Sequence, residues 1–332
     1  MEKKQYFKLF ASCIPVKGAK ESIIMDLERE KWYDIPNILL DVLDKNDDTI
    51  DNLKIKFKNK YDKGIDTYFQ SLVNNELGFF TSNPTMFPDI NSDFLSPYKL
   101  STAIIILEKS FNFNLKKVFK EIEELGCQSL QIRIYSTINY SELLESLKVF
   151  SNSRLKIIEI YSDYYKDFIN SMNEIQLIDS RLFWYLFDNT TLYNNQSIKT
   201  PYKINWFKGS LTKLNSEKIN KNNFSCNINF FTEAINYNVG LNRKICITSN
   251  GDIKNYVNHN HTFGNISNTM LSDVLENDIF SQNGNYHNNT IEKCRDCQYR
   301  YMCLSNSDIK IINNKKHKTD DCNFNPYTNE WK

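Results

Sequence analysis

The apolar residues at the start of the chain change from alternation to helical spacing. Residues 22–35 place apolar positions on both sides of a polar turn at Arg29 and Glu30, which predicts two short strands. Apolar residues three and four positions apart then predict three helices, which begin near Pro36, Ile50 and Ile65. Gly78 is expected to end the third helix. The order strand, strand, helix, helix, helix predicts a winged-helix-like unit within residues 1–90.

A different pattern follows the proline-containing segment 83–98, which we interpret as a linker. Buried strands are predicted at 103–107, 129–135 and 155–161, and helical patterns separate them at 115–125 and 141–150. Strands that alternate with helices predict a parallel sheet or part of a βα barrel. We assign this segment to residues 100–210, with one more strand at 182–187.

Beyond residue 210 the pattern consists of short strands and loops. Residues 243–254 predict a hairpin with Asn250 and Gly251 at its turn, and residues 270–276 predict a short helix. We assign residues 211–332 to a third, cysteine-rich domain. The predicted fold class is therefore α/β and multidomain, with a winged-helix-like unit, a shortened and degenerate βα barrel segment, and a C-terminal cysteine domain.

Composition and charge narrow the class of protein. The chain has 332 residues, of which 41% are hydrophobic, and its 41 basic side chains nearly balance 40 acidic ones. This balance provides no large positive field for a phosphate backbone, so we expect no nucleic-acid partner. No apolar run reaches the about 18–20 residues that cross a bilayer, and the first residues do not form a signal peptide, so we expect a cytoplasmic protein without a membrane partner. Disulfides are uncommon in the cytoplasm, so clustered cysteines are interpreted first as metal ligands.

Four of the eight cysteines cluster near the C-terminus, and we call Cys294, Cys297, Cys303 and Cys322 the four-cysteine set. Two thiolates separated by two residues bind a metal from a tight turn, a third lies on the same loop, and a distant fourth closes the site. The spacing predicts an iron–sulfur cluster or a zinc ion and does not separate the two. Four reduced structural cysteines are the remaining alternative.

The other cysteines and the histidines give weaker signals. Cys246 lies on the predicted hairpin and is a further candidate ligand or a small core residue. Three isolated cysteines are interpreted as structural, namely Cys13, Cys127 and Cys226. His259 and His261 form an H-x-H pair, which we interpret as part of a solvated loop rather than as a metal site.

Several segments together resemble a known family. Residues 243–255, 263–266, 294–303 and 322–331 resemble the SPASM domain, which follows the catalytic barrel in many radical S-adenosylmethionine peptide-modifying enzymes. With residues 10–19 included, the chain is similar to the SPASM-domain protein of grasp-with-spasm systems. In those systems an ATP-grasp ligase and this protein act on a small ribosomally made peptide.

The resemblance implies that the four-cysteine set ligates one auxiliary [4Fe–4S] cluster. SPASM domains often hold a second cluster, but Tyr256 stands where one of its cysteines is expected. The C-x3-C-x2-C motif that binds S-adenosylmethionine through a cluster is absent from residues 1–245, so we do not expect this cofactor. The βα segment is then expected to be a relic of the radical barrel.

The N-terminal unit is similar to the peptide-recognition element of ribosomal-peptide maturation systems, which binds a leader peptide as an added strand against a helix. The candidate groove residues are Tyr68, Phe69, Leu72 and Val73. These features predict maturation of a ribosomal peptide, with the precursor peptide and an ATP-grasp ligase as partners. The alternatives are a redox peptide-modifying enzyme that uses the cluster and a zinc-stabilised adaptor protein. No catalytic residue stands out in the sequence, so whether the chain is itself an enzyme stays open.

Overall fold

The computed structural model describes residues 4–43, 48–163, 179–188, 204–211, 219–320 and 322–332. In these ranges the chain is an α/β protein with a seven-stranded, mostly parallel sheet and eight α-helices, so the predicted α/β class is confirmed. None of the helices in these ranges combines the length and the apolar composition that crossing a membrane requires.

The N-terminal unit contains two small antiparallel sheets and three helices. In the first sheet, β1 (Tyr6–Leu9) pairs with β5 (Gly78–Thr81). The second sheet has the order β2 (Cys13–Val16), β3 (Glu21–Asp26), β4 (Lys31–Pro36), and the helices are α1 (Asn37–Leu43), α2 (Ile50–Lys56) and α3 (Asp62–Asn74). The predicted strand pair and the three predicted helices are confirmed. The sequence pattern does not predict β1, β2 or β5 because each has only four residues, too few to show a period, and no Asn-Gly or Asp-Gly turn adjoins it.

The prediction that Gly78 ends the third helix is wrong. α3 ends at Asn74, and Gly78 is the first residue of β5. An added Cβ at Gly78 would lie 2.5 Å from the carbonyl oxygen of Lys8, so the glycine permits the close approach of β1. Glu76 has the positive φ, 55°, where the chain leaves the helix.

The central sheet begins with five parallel strands that lie in chain order. They are β6 (Thr102–Leu107), β7 (Ser129–Ile134), β8 (Ile157–Asp163), β9 (Leu182–Asp188) and β10 (Ile204–Lys208). Two helices, α4 (Leu115–Glu124) and α5 (Tyr140–Leu147), connect the first three strands and cover one face of the sheet, where the largest apolar core lies. The predicted βαβαβ order and the strand at 182–187 are confirmed, and β10 is an addition.

The hairpin predicted at 243–254 is confirmed, and it belongs to the central sheet. β11 (Lys244–Ile247) runs parallel to β6 and antiparallel to β12 (Ile253–Lys254). Gly251 at the turn has a φ of +84°, where a side chain would be strained. The sheet therefore continues beyond the boundary predicted at residue 210. A period-two pattern predicts a hairpin but does not show which distant strand it joins.

The remaining C-terminal elements are short. They are the helices α6 (Ile228–Asn236), α7 (Leu271–Leu275) and α8 (Asp278–Asn285), and the strands β13 (Ile309–Ile312), β14 (Lys315–Lys318), β15 (Phe324–Asn325) and β16 (Glu330–Trp331). The helix predicted at 270–276 is confirmed as α7. The strands pair as two hairpins, β13 with β14 and β15 with β16.

Strand β3 separates two apolar cores. Successive side chains of a strand point to opposite faces. Ile24 lies in the core that the three N-terminal helices cover, whereas Ile23 and Met25 lie in a second core with Tyr299 and Met302 of the cysteine region. We call this second core the seam. The N-terminal unit is therefore packed directly against the cysteine region.

Asn114 caps α4, and its removal should destabilise the central sheet. Its side chain accepts a hydrogen bond from the backbone N–H of Lys117 at 2.9 Å. We expect Asn114→Ala to lower the free energy of unfolding by about 0.5–2 kcal/mol, measured by chemical denaturation. The control is Lys116→Ala at an exposed position of the same helix. An equal loss in both variants would contradict the capping role.

Candidate metal centre

The segment that carries three of the four cysteines folds as a series of tight turns. The backbone N–H of Cys297 donates to the carbonyl of Cys294 at 3.0 Å, and that of Arg300 donates to Cys297 at 3.3 Å. The N–H of Met302 donates to the carbonyl of Tyr299 at 3.1 Å. Because Tyr299 and Met302 are buried in the seam, these turns are held at a fixed place on the N-terminal unit.

Cys303 and Cys322 approach the same place from either side of the β13–β14 hairpin. Cys303 forms an isolated antiparallel bridge with Phe224. The chain then leaves through β13 and returns through β14, and the N–H of Thr319 donates to the carbonyl of Asp308 at 2.9 Å where the two strands close. Cys322 follows this closure. The hairpin thus explains how a cysteine distant in sequence rejoins the other three.

All four thiols of the four-cysteine set line one cavity of about 70 Å³. The wall also contains the charged side chains of Lys293, Arg300, Lys318 and Asp320 and the polar side chains of Tyr256, Asn258, Asn288, Ser305, Asn306 and Ser307. The structure therefore brings the four predicted ligands together at one site.

Burial favours the protonated form of two thiols in this cavity, those of Cys297 and Cys303. It raises the pKa of Cys303 to about 12, with Lys318 acting in the opposite direction and Cys294 and Cys322 adding to the rise. Burial is also the main cause of the raised pKa of Cys297. Metal ligation needs thiolates, so a metal that binds here must displace these protons.

The four thiols share a cavity without converging on a single ion position. Within the described ranges, no group of three or more His, Cys, Asp and Glu side chains is arranged to hold a metal ion. A structural zinc site needs four sulfurs that each lie about 2.3 Å from one ion. A [4Fe–4S] cluster divides its four thiolates among four irons, so the sulfurs surround a larger body. The thiol donor set in the shared cavity suits either group, and metal analysis separates the two.

The remaining cysteines lie outside this cavity. Cys246 is fully buried on β11, and burial raises its pKa to about 12, which favours the interpretation as a core residue over that as a ligand. Cys13, Cys127 and Cys226 are also buried. The thiol of Cys226 donates to the carbonyl of Lys31 at 3.0 Å, so this cysteine links the seam to β4.

Tyr256 and the two histidines have different environments. The Tyr256 side chain lines the cavity, and its hydroxyl accepts a hydrogen bond from Nη2 of Arg133 at 3.2 Å. His261 is exposed, as a solvated loop predicts. For His259 that interpretation is wrong, because its ring is buried and Nε2 donates to the carbonyl of Asn306 at 2.9 Å. This hydrogen bond satisfies the ring and makes its burial possible.

Sequence reasoning missed Lys318. Its side chain lines the cavity together with the four cysteines. Burial lowers the pKa of Lys318, but the negative charge of Cys294, Cys303 and Cys322 as thiolates outweighs this effect and raises the pKa overall. The sequence at 315–318 is Lys-Lys-His-Lys, and nothing in it distinguishes Lys318 as a residue of the site. Only the register of the hairpin, which pairs Lys318 with Ile309, places it at the cavity.

A second cavity, of about 390 Å³, opens in the N-terminal unit. Its wall is formed by Ile38, Leu39, Val42, Phe57, Tyr61, Gly64, Ile65 and Tyr68. We call it the apolar groove. The hydroxyl of Tyr68 has no hydrogen-bond partner among the described residues, and burial raises the pKa of this side chain.

The structure separates the four predicted groove residues. Tyr68 lines the apolar groove, whereas Phe69 and Leu72 are buried in the core beneath it and Val73 packs against that core. Helical spacing identifies the apolar side of α3 but does not show which part of that side stays open. α1 contributes Ile38, Leu39 and Val42 to the groove, whereas the sequence predicts only a helix at these positions.

Comparisons with known proteins add no assignment, because no protein-family model, no curated protein and no solved structure matches the chain. The two cavities and the residues that form them are therefore the features of the chain from which a function can be inferred.

Proposed function

We propose that this chain is a cytoplasmic peptide-maturation protein that binds a ribosomal precursor peptide, carries one [4Fe–4S] cluster in its C-terminal region and acts together with an ATP-grasp ligase. The observation that carries the proposal is that all four thiols of the four-cysteine set line one cavity. The segment bearing them is packed against a unit that has an open apolar groove. The resemblance of residues 243–255 and 294–303 to the SPASM domain supports the same function.

The N-terminal unit offers the two features that a peptide-recognition element needs. In the described residues, β4 pairs only with β3, and the carbonyl of Lys31 accepts from Cys226. Beyond Lys31, the outer edge of β4 leaves backbone N–H and C=O groups available to an added strand. α1 follows β4 directly, which places the apolar groove next to the end of this edge. Backbone hydrogen bonds along β4 would supply affinity, and the groove would select an apolar side chain of the leader peptide.

The four-cysteine set would hold the cluster, whose role in this proposal is to fix the fold of the C-terminal region and to accept or donate single electrons when bound. Residues 1–245 contain only Cys13, Cys127 and Cys226, and these do not form the motif that binds S-adenosylmethionine. We therefore assign the bond-forming step to the ligase. A change in product mass beyond the ligase's own loss of water would instead favour a redox modification by this chain.

Metal analysis of protein purified without oxygen tests the cluster. We expect the iron and sulfide of one [4Fe–4S] cluster and a brown protein with the broad visible absorption of such clusters. A colourless protein with one zinc ion would support the zinc-stabilised adaptor, and a protein with neither metal would contradict both functions. Capture of the precursor peptide and the ligase by the full chain tests the partners, and failure to bind either would overturn that part of the proposal.

The apolar groove can be tested with a pair of matched variants. Ile38 lies in the groove and is 60% exposed, whereas Ile55 on α2 is 63% exposed and lies outside it. Because both isoleucines are exposed, replacement by serine should change the stability of the chain little. We expect Ile38→Ser to weaken precursor binding about tenfold, the loss of roughly 1.4 kcal/mol of apolar contact, and Ile55→Ser to leave it unchanged. Titration calorimetry measures both, and equal affinities would exclude the groove as the peptide site.

A further inference from the structure

Three cationic side chains line the cavity of the four-cysteine set, and two of them bind backbone carbonyls. Nζ of Lys293 donates to the carbonyl of Cys322 at 3.3 Å, and Nη1 of Arg300 donates to the carbonyl of Cys297 at 2.9 Å. The third cation is Lys318, which lines the same cavity wall as the four cysteines.

The hairpin holds Lys318 in this position. It is the last residue of β14 and pairs with Ile309, the first residue of β13. Beyond it, the N–H of Asp320 donates to Oγ of Ser307 at 3.0 Å. The chain is thus fixed on both sides of Lys318, and the ammonium group has little freedom to leave the cavity.

Four thiolates on one cluster concentrate negative charge, and the reduction potential of a cluster depends on net charge and on hydrogen bonds to its sulfurs. Lys318 supplies a positive charge in the wall of the cavity that the four thiols share. We propose that Lys318 is a positioning residue of the metal centre, whose ammonium group raises the reduction potential of the bound cluster. This inference depends on the cluster of the proposed function.

The redox titration follows a one-electron reduction of the cluster. One electron from an external reductant such as dithionite reduces the cluster, and the negative charge of the centre rises by one. A fixed positive charge stabilises the reduced form more than the oxidised form, so its removal must lower the potential. Nearby outer-shell groups of this kind tune metal sites without ligating them.

Lys316 provides a matched control. It lies two residues earlier on β14, and its ammonium group stands 4.4 Å from the ring centroid of Tyr286 rather than in the cavity. Both lysines therefore come from the same strand and carry the same charge. Only the position of Lys318 in the cavity wall distinguishes their expected effects.

The experiment is a redox titration of full-length protein that has been reconstituted without oxygen, followed by its electron paramagnetic resonance signal. We expect Lys318→Gln to shift the potential downwards at full iron content, Lys318→Arg to restore most of the shift, and Lys316→Gln to leave the potential unchanged. A fully loaded Lys318→Gln variant with the wild-type potential would overturn the inference and leave the proposed function intact. A wild-type protein without iron and sulfide would overturn both.

Loss of loading in Lys318→Gln is also informative. In that case iron retention against a chelator is compared between Lys318→Gln and Lys318→Arg. Retention that recovers in the arginine variant supports a role for the positive charge. Equal loss in both variants shows that the side chain only fills space, and the inference is then wrong.

Discussion

Replacement of Cys297 by serine is expected to remove the iron and sulfide from the metal centre. Cys297 lines the cavity with the other three thiols, and its segment is anchored in the seam. A serine oxygen is a weaker ligand for the iron of a cluster than the cysteine thiolates that usually hold it. The loss of affinity should exceed the about 10–100-fold that follows removal of an outer-shell partner. Iron and sulfide analysis after purification without oxygen measures it.

The variant should also be less stable, because metal binding contributes to the free energy of folding wherever the site is absent from the unfolded chain. We expect a lower midpoint of thermal unfolding that chelation of the wild-type protein reproduces. The matched controls are Cys226→Ala, in the seam but outside the cavity, and Cys246→Ala, buried on β11. Both should retain iron at some cost in packing. Loss of iron in Cys246→Ala would instead identify Cys246 as a ligand.

The second large effect is expected at the seam, where two adjacent residues of β3 can be compared. Ile23 and Ile24 are both fully buried, but Ile23 packs in the seam and Ile24 packs under the N-terminal helices. Truncation of a buried isoleucine to alanine leaves a cavity, so we expect each variant to lose about 2–5 kcal/mol of unfolding free energy. Chemical denaturation measures the loss in both.

The two variants should differ at the metal centre. Ile23→Ala loosens the core that anchors the segment 294–303, so a chelator should remove iron faster from this variant than from the wild-type protein. Ile24→Ala should affect precursor binding more than iron retention, because its core supports the apolar groove. Equal rates of iron loss in the two variants would show that the seam does not support the centre.

Long periodic segments could be predicted from the sequence, whereas the short strands β1, β2 and β5 could not; the equally short β11 was found because an Asn-Gly turn follows it. β6 could be predicted from its continuous apolar run, and α4 from apolar residues that recur at helical spacing. β1, β2 and β5 escape prediction at four residues each. Gly78 was misassigned because a glycine after a helical pattern indicates a C-cap equally well as a close approach between strands.

Some residues of the candidate site could be identified from the sequence, and others only from the tertiary structure. The four-cysteine set could be identified from its spacing, because a C-x2-C pair followed by two further cysteines is typical of metal sites. Lys318, His259 and the α1 side of the apolar groove could not be, because each depends on contacts between residues far apart in sequence. Phe69 and Leu72 were predicted to line a binding groove, but they are buried in the core. An apolar helix face in the sequence does not show which of its residues stay accessible.

The sequence by itself determined the α/β class, the hairpin turn at Gly251 and the set of thiols available to a metal. These features depend on residue types and periodicity within short segments of the chain. Only the tertiary structure decided that β11 completes the central sheet, that β3 divides two cores and that Lys318 faces the thiols. Such pairings depend on how distant apolar surfaces exclude water together, and no local pattern specifies which two surfaces will meet.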